Sequence, residues 1–117
     1  MLNHMAHHSA APLNDVFGAI ADPTRRAIME HLGHNSARVT DIAKNFPISL
    51  NAVSKHLMVL ERAGLIRREV HGRDHICNLN LQPLRGASAW IEGVRAFWET
   101  RLDAFERHVA RKRRNLP

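Results

Sequence analysis

The sequence predicts a mainly α fold with one small β-hairpin, built as a single domain. Three observations carry this. Between Ser49 and Gly64 the apolar residues Val53, Leu57 and Leu60 recur at spacings of four and three. They therefore share one face of a helix whose ends are written as a Ser cap and a Gly stop. Residues 65–70 and 75–79 read as extended segments on either side of the polar turn His71-Gly72-Arg73-Asp74, which makes a hairpin. Finally, 117 residues with 44% hydrophobic content suffice for one compact core and hardly two.

In chain order, residues 1–12 are rich in small residues and histidine and are expected to be a disordered tail that Pro12 closes. The domain itself is expected over residues 13–112, with a basic tail at 113–117. A first helix at 14–21 places Val16, Phe17 and Ile20 on one face. Asp22 is a good N-cap and Pro23 a good first helical residue, so a second helix runs over 23–32 with Ile28, Met29 and Leu32 inward and Gly33 as its stop. Thr40 reads as the cap of a short third helix over 40–45, which the turn Phe46-Pro47-Ile48 ends. The capped helix after Ser49 is the fourth, with Asn51, Ser54, Lys55 and Arg62 on its polar side. The fifth is long, over 84–111, with a bend expected at Gly93.

Short helix, turn, capped helix and hairpin, in that order, is the layout of a winged helix-turn-helix. In that module the second helix of the pair enters the major groove of DNA, and the hairpin reaches the flanking backbone or minor groove. The last helix adds a second surface. It carries Trp90, Phe97, Trp98 and Phe105, four of the six aromatic residues of the chain. With Ile91, Val94, Leu102 and Val109 they form a stripe wider than a surface helix needs. The stripe either caps the chain's own core or meets a symmetry mate; the small domain and the terminal position favour the mate. The expectation is a homodimer through the first and last helices, with Val16, Phe17, Ile20, Trp90, Ile91, Val94, Phe97, Trp98, Leu102 and Phe105 at its interface.

Charge and cysteine usage narrow the setting. Of the net charge of +6, +5 falls within residues 107–117, which leaves +1 elsewhere, so global basicity belongs mainly to the chain's end. Cations there also suit the negative end of a helix dipole. Cys77 is the single cysteine, which excludes an internal disulfide and any CxxC or four-cysteine zinc site and fits a reducing compartment. The start shows no continuous apolar stretch that could act as a secretory signal, and no apolar run approaches membrane-spanning length. A soluble cytoplasmic protein is expected. There is no Gly-rich phosphate loop, no H-E-x-x-H and no nucleophile elbow, and Asp41, Glu61 and Glu92 fall on separate elements, so catalysis is not expected.

The run AIADPTRRAIMEHL, followed by TDIAKNFPISLNAVSKHLMVLERAGLIRREVHGRDHICNL, closely resembles the ArsR/SmtB family of winged-helix repressors over about residues 14–82. The resemblance implies a bacterial or archaeal dimer that binds an imperfect palindrome at a promoter and is released, in many members, by a metal ion or another signal. It places Ser49, Leu50, Asn51, Ser54 and Lys55 where family members approach the major groove. Residue chemistry adds detail. Asn51 pairs bidentately with adenine, Ser54 serves several bases, and Lys55 suits phosphate. Ser49 is also a cap, and Leu50 is equally a packing residue. His56 reads as a phosphate partner or an intrahelical hydrogen-bond partner. In the wing, Arg73 is the best candidate for backbone or minor-groove contact, Asp74 suits the turn, and Arg67, Arg68 and His71 read either as DNA contacts or as a solvated strand face. Arg25 and Arg26 match the family motif and are equally explained by packing and surface ion pairs.

The chain departs from the family's metal-sensing pattern. Metal-responsive members place paired cysteines in the third helix, where this chain has Val39-Thr40-Asp41-Ile42-Ala43. A transition-metal site needs three or four soft or imidazole ligands converging. The pairs His31/His34 and His71/His75 and the tail set His4, His7 and His8 are what chance pairing among nine histidines produces. No metal and no cofactor is therefore expected. Cys77 reads as a buried small hydrophobe. A metal- or redox-responsive repressor using one of these residues, and a winged-helix protein-interaction module, stay as alternatives to the plain DNA-binding regulator.

Overall fold

A computed structural model describes residues 12–116. Its elements are α1 (Leu13–Ile20), α2 (Pro23–His34), β1 (Ala37–Arg38), α3 (Val39–Lys44), α4 (Leu50–Arg62), β2 (Ile66–His71), β3 (Asp74–Leu79) and α5 (Gln82–Arg114). All but Pro12 of the expected tail, with His4, His7 and His8, lies outside the described residues. The chain divides into two units, Met1–Ala87 and Ser88–Pro117, so the first turns of α5 belong to the first unit and the rest to the second.

In the first unit, four helices close over a three-stranded antiparallel sheet. Local chemistry sets most of the ends. The Asp22 side chain accepts from Arg25 N at 3.0 Å with Pro23 at the first helical position, and Ser49 Oγ accepts from Ala52 N at 3.1 Å. At the far end of α4, Gly64 takes φ +76°, its N–H reaches Glu61 O at 2.9 Å, and Leu65 N–H reaches Leu60 O at 2.9 Å. Those two bonds are a Schellman stop, and the buried Leu65 packs beneath it. Gly72 takes φ +63° in the two-residue turn that pairs His71 with Asp74, while Arg73 keeps a negative φ, the sign pattern of a type II′ hairpin.

Four expectations change. The sheet has three strands in the order β1-β3-β2, because Ala37 pairs with Cys77 and Arg38 with Ile76. A two-residue strand is too short to show alternation, and its partner lies far along the chain. Thr40 is not a cap: α3 begins at Val39 after Arg38, and no side chain caps it. Helix α2 runs through Gly33 to His34 and ends at the extended Asn35, since Gly33 does not adopt positive φ. Helix α5 starts two residues early, with Pro83 tolerated in its first turn, and runs through Gly93 to Arg114, so Arg113 and Arg114 are helical rather than tail.

The core gathers Ile28, Met29 and Leu32 from α2, Ile42 from α3, Val53, Leu57 and Leu60 from α4, and Leu65, Ile66 and Cys77 around the sheet. Each fully buried aliphatic side chain of this kind contributes about 2 kcal/mol of transfer free energy. Val16 is also buried, at 1% exposure, so it belongs to this chain's own core and offers no surface to a second copy. This corrects its expected place in a dimer interface. Phe17 and Ile20, one and four positions on, are half-buried. In the second unit, α5 holds its large apolar residues outward: Trp90, Ile91, Phe97, Trp98, Leu102 and Phe105 are each about half exposed or more, and Val94 and Val109 are half-buried. Arg101 lies 4.3 Å over the Phe97 ring, and Arg95 pairs with Glu92 and Glu99.

Candidate nucleic-acid interface

Burying Val53, Leu57 and Leu60 on one side of α4 fixes what the other side presents. Asn51, Lys55, Met58 and Arg62, at spacings of four, three and four, are exposed on one stripe. Leu50 is exposed and Ser54 half-buried on the neighbouring stripe. These two turn toward the wing, where a groove of about 240 Å³ opens between α4, the start of α3 and the hairpin turn. Its walls include Leu50, Ser54, Arg73 and His75, together with Arg38 and Thr40, which sequence reasoning did not select.

The arginines sort by partner. Arg25 Nε donates to Ala19 O at 2.7 Å and Nη2 to Gly18 O at 2.9 Å, and Arg26 Nη1 donates to Ile20 O at 2.7 Å. Both therefore bond carbonyls in the last turn of α1, among them Gly18 O, which also accepts Ala21 N–H at 3.3 Å, rather than forming surface ion pairs. Arg38 pairs with Asp41 at 3.0 Å and lies 3.8 Å from Asp74. These carboxylates, Asp41 first, push the Arg38 pKa up. Asp74 thus ties the wing to β1. Arg68 is held by Glu61 and lines the same groove. Among the described residues, Lys55, Arg62, Arg67 and Arg73 have no carboxylate partner and are exposed, which leaves their charge available to phosphate.

The remaining sequence-selected residues divide. Ser49 is exposed beside its capping bond. His71 is exposed, and its Nε2 lies 3.1 Å from Glu69. His56 turns toward α2: its Nδ1 lies 3.3 Å from Arg25 Nη1 and 3.9 Å from Asp22 Oδ2. The cap bond from Arg25 N–H, helped by the Arg25 and His56 charges, holds the Asp22 carboxyl below its ordinary value despite desolvation. Burial pushes the Cys77 thiol up, away from thiolate chemistry. No three His, Cys, Asp or Glu side chains converge on a possible metal position among the described residues. His31 instead meets the Phe46 ring edge to face at 6.2 Å.

This geometry has close counterparts. Residues 20–69 match a family model described as a helix-turn-helix domain. The transcriptional repressor SdpR of Bacillus subtilis is 37% identical over 79 residues, which cover 68% of this chain and 88% of that protein. The HTH-type transcriptional regulator Rv2034 of Mycobacterium tuberculosis is 36% identical over 74% of this chain and 78% of its own length. A crystal structure of an ArsR family transcriptional regulator superposes with a TM-score of 0.70 at 38% identity, covering 74% of this chain and 90% of that one. The chain belongs to the ArsR family of winged helix-turn-helix transcriptional regulators. An ArsR-like regulator from Rhodococcus sp. RHA1 agrees, with a TM-score of 0.72 at 30% identity over 81% of this chain and 90% of the other. As an ArsR-family member the chain is a DNA-binding transcriptional regulator and not an enzyme. In this family's layout α3 and α4 are the helix-turn-helix, α4 the recognition helix and β2–β3 the wing. No described helix is long and apolar enough to cross a membrane.

Proposed function

We propose that this ArsR-family protein is a homodimeric repressor that closes a promoter by binding a palindromic operator in the cytoplasm, on the nucleoid. Ser49, Leu50, Asn51, Ser54, Lys55 and His56 of the recognition helix face the major groove and its edges, and Arg67, His71 and Arg73 of the wing meet the flanking backbone or minor groove. The observation that carries this is the exposed stripe of α4, where Asn51, Lys55 and Arg62 stand in line with no carboxylate against them. Similarity to a named repressor supports the direction of control.

Dimerisation follows from the second surface. Ile91, Phe97, Trp98, Leu102 and Phe105, with Trp90 and Val94, expose a run of apolar area along α5 that water disfavours and an identical copy would cover, and in the first unit the half-buried Phe17 and Ile20 of α1 are the residues left to meet a second copy. Two recognition helices about 34 Å apart would then meet successive major grooves. Genome-wide recovery of DNA bound to the tagged protein, paired with sedimentation of the purified protein, tests both halves. Enrichment of a two-fold symmetric promoter sequence by a dimer is the expected result. A monomer that enriches no promoter contradicts it.

A further inference from the structure

We propose that Arg25 is a positioning residue that fixes the tautomer of His56 and so presents the ring's Nε2–H to a DNA phosphate; this rests on the reading of α4 as the recognition helix. Arg25 and His56 are 31 residues apart in sequence and meet where α2 crosses α4. A guanidinium carries five N–H donors and no acceptor. At the 3.3 Å contact between Arg25 Nη1 and His56 Nδ1, the imidazole nitrogen must therefore supply the lone pair. The neutral ring then carries its proton on Nε2.

Among the described residues Nε2 has no hydrogen-bond partner and no partnerless side-chain nitrogen is fully enclosed, so this N–H keeps some contact with solvent. The rest of the ring is held in place, with a side-chain exposure of 23%. The opposite tautomer would aim Nδ1–H at a cation. Asp22 Oδ2, 3.9 Å from Nδ1, is beyond hydrogen-bond reach and already accepts Arg25 N–H at 3.0 Å. Arg25 itself cannot drift, because Nε and Nη2 are spent on Ala19 O and Gly18 O. The ring is thus registered against the end of α1 as well as against α2. His56 follows Lys55 on α4 but lies about 100° further round the helix, at the α2 edge of the stripe that Lys55 occupies, so the phosphate it would meet is one on the flank of the groove rather than the one Lys55 holds.

The tautomer is read directly from long-range proton–nitrogen spectra of the whole protein at about pH 8, where an ordinary histidine is neutral. His56 is expected as the Nε2–H form in the wild type and as a mixture in R25A. A wild-type Nδ1–H form, or an R25A spectrum identical to the wild type, overturns the proposal. The wild-type spectrum stands by itself should R25A fail to fold. In operator binding, H56Q, whose amide nitrogen reaches the Nε2 position, is expected to stay within about twofold of wild type. H56N, which mimics only Nδ1, is expected to bind roughly tenfold more weakly. Equal affinities for the two variants overturn the phosphate contact. Failure of the wild type to bind any genomic DNA would instead sink the reading of α4, with the spectrum still reporting on Arg25.

Discussion

Arg68 of β2 and Glu61 of α4 form an ion pair that fastens the wing to the recognition helix, with Arg68 Nε donating to Glu61 Oε1 at 3.0 Å and Nη2 reaching the same oxygen. Both side chains are no more than about a third exposed, at 25% and 32%, so water screens the pair only partly. A double-mutant cycle with E61A and R68A is expected to give a coupling of about 1 kcal/mol in thermal or denaturant unfolding. E61A should also weaken operator binding, since the strand leading to Arg73 loses its tether. A coupling indistinguishable from zero would mean that the wing is placed by its backbone pairing alone.

The stop of α4 gives a second prediction. Gly64 sits at φ +76°, where a side chain is strained, so G64A is expected to destabilise the protein by about 1 kcal/mol. Chemical denaturation that shows the variant unchanged would contradict the assigned Schellman geometry.

Acid sensitivity follows from the cap of α2. Arg25 N–H and the Arg25 charge hold the folded Asp22 carboxyl below its unfolded value. Such a group stabilises fully above the unfolded pKa near 4, and that contribution is lost as pH falls through the lower folded value. The melting temperature of wild type should therefore exceed that of D22N at neutral pH, and the gap should close as pH falls through the lowered pKa of the folded carboxyl. A gap that is constant across this range would show that the carboxylate charge plays no part.

Placing a charge in the apolar stripe tests the dimer. Leu102 is 56% exposed, so L102E should leave the fold intact. By sedimentation the variant is expected to run as a monomer and to lose operator affinity together with assembly. A dimer of wild-type strength would move the interface away from this part of α5.

How much of this was legible in the sequence depended on how local each signal is. Asp22, Ser49, Gly64 and Gly72 act within a few residues of themselves, and the helices and hairpin they bound could be read from composition and spacing. The β1 pairing of Ala37 with Cys77 spans 40 positions and has no periodic signature at two residues long. Thr40 shows how a correct preference is overridden: it suits a cap, yet the strand geometry of Arg38 starts α3 one residue earlier and leaves Thr40 in the groove. Val16 belonged to the apolar face of α1, but periodicity alone cannot say which apolar residues face the core and which face a partner. Arg25 and Arg26 looked like surface charges because their acceptors are backbone carbonyls, which no residue type announces.

The central claim is that the exposed stripe of α4 enters DNA, and fluorescence anisotropy of an operator duplex over a salt series tests it most directly. K55A is expected to weaken binding to every sequence and to lower the slope of log affinity against log salt by about 1 per half-site. N51A should keep that slope while losing about 1–3 kcal/mol of discrimination at one base pair of each half-site. Both variants binding with wild-type affinity, salt dependence and sequence preference would contradict the account.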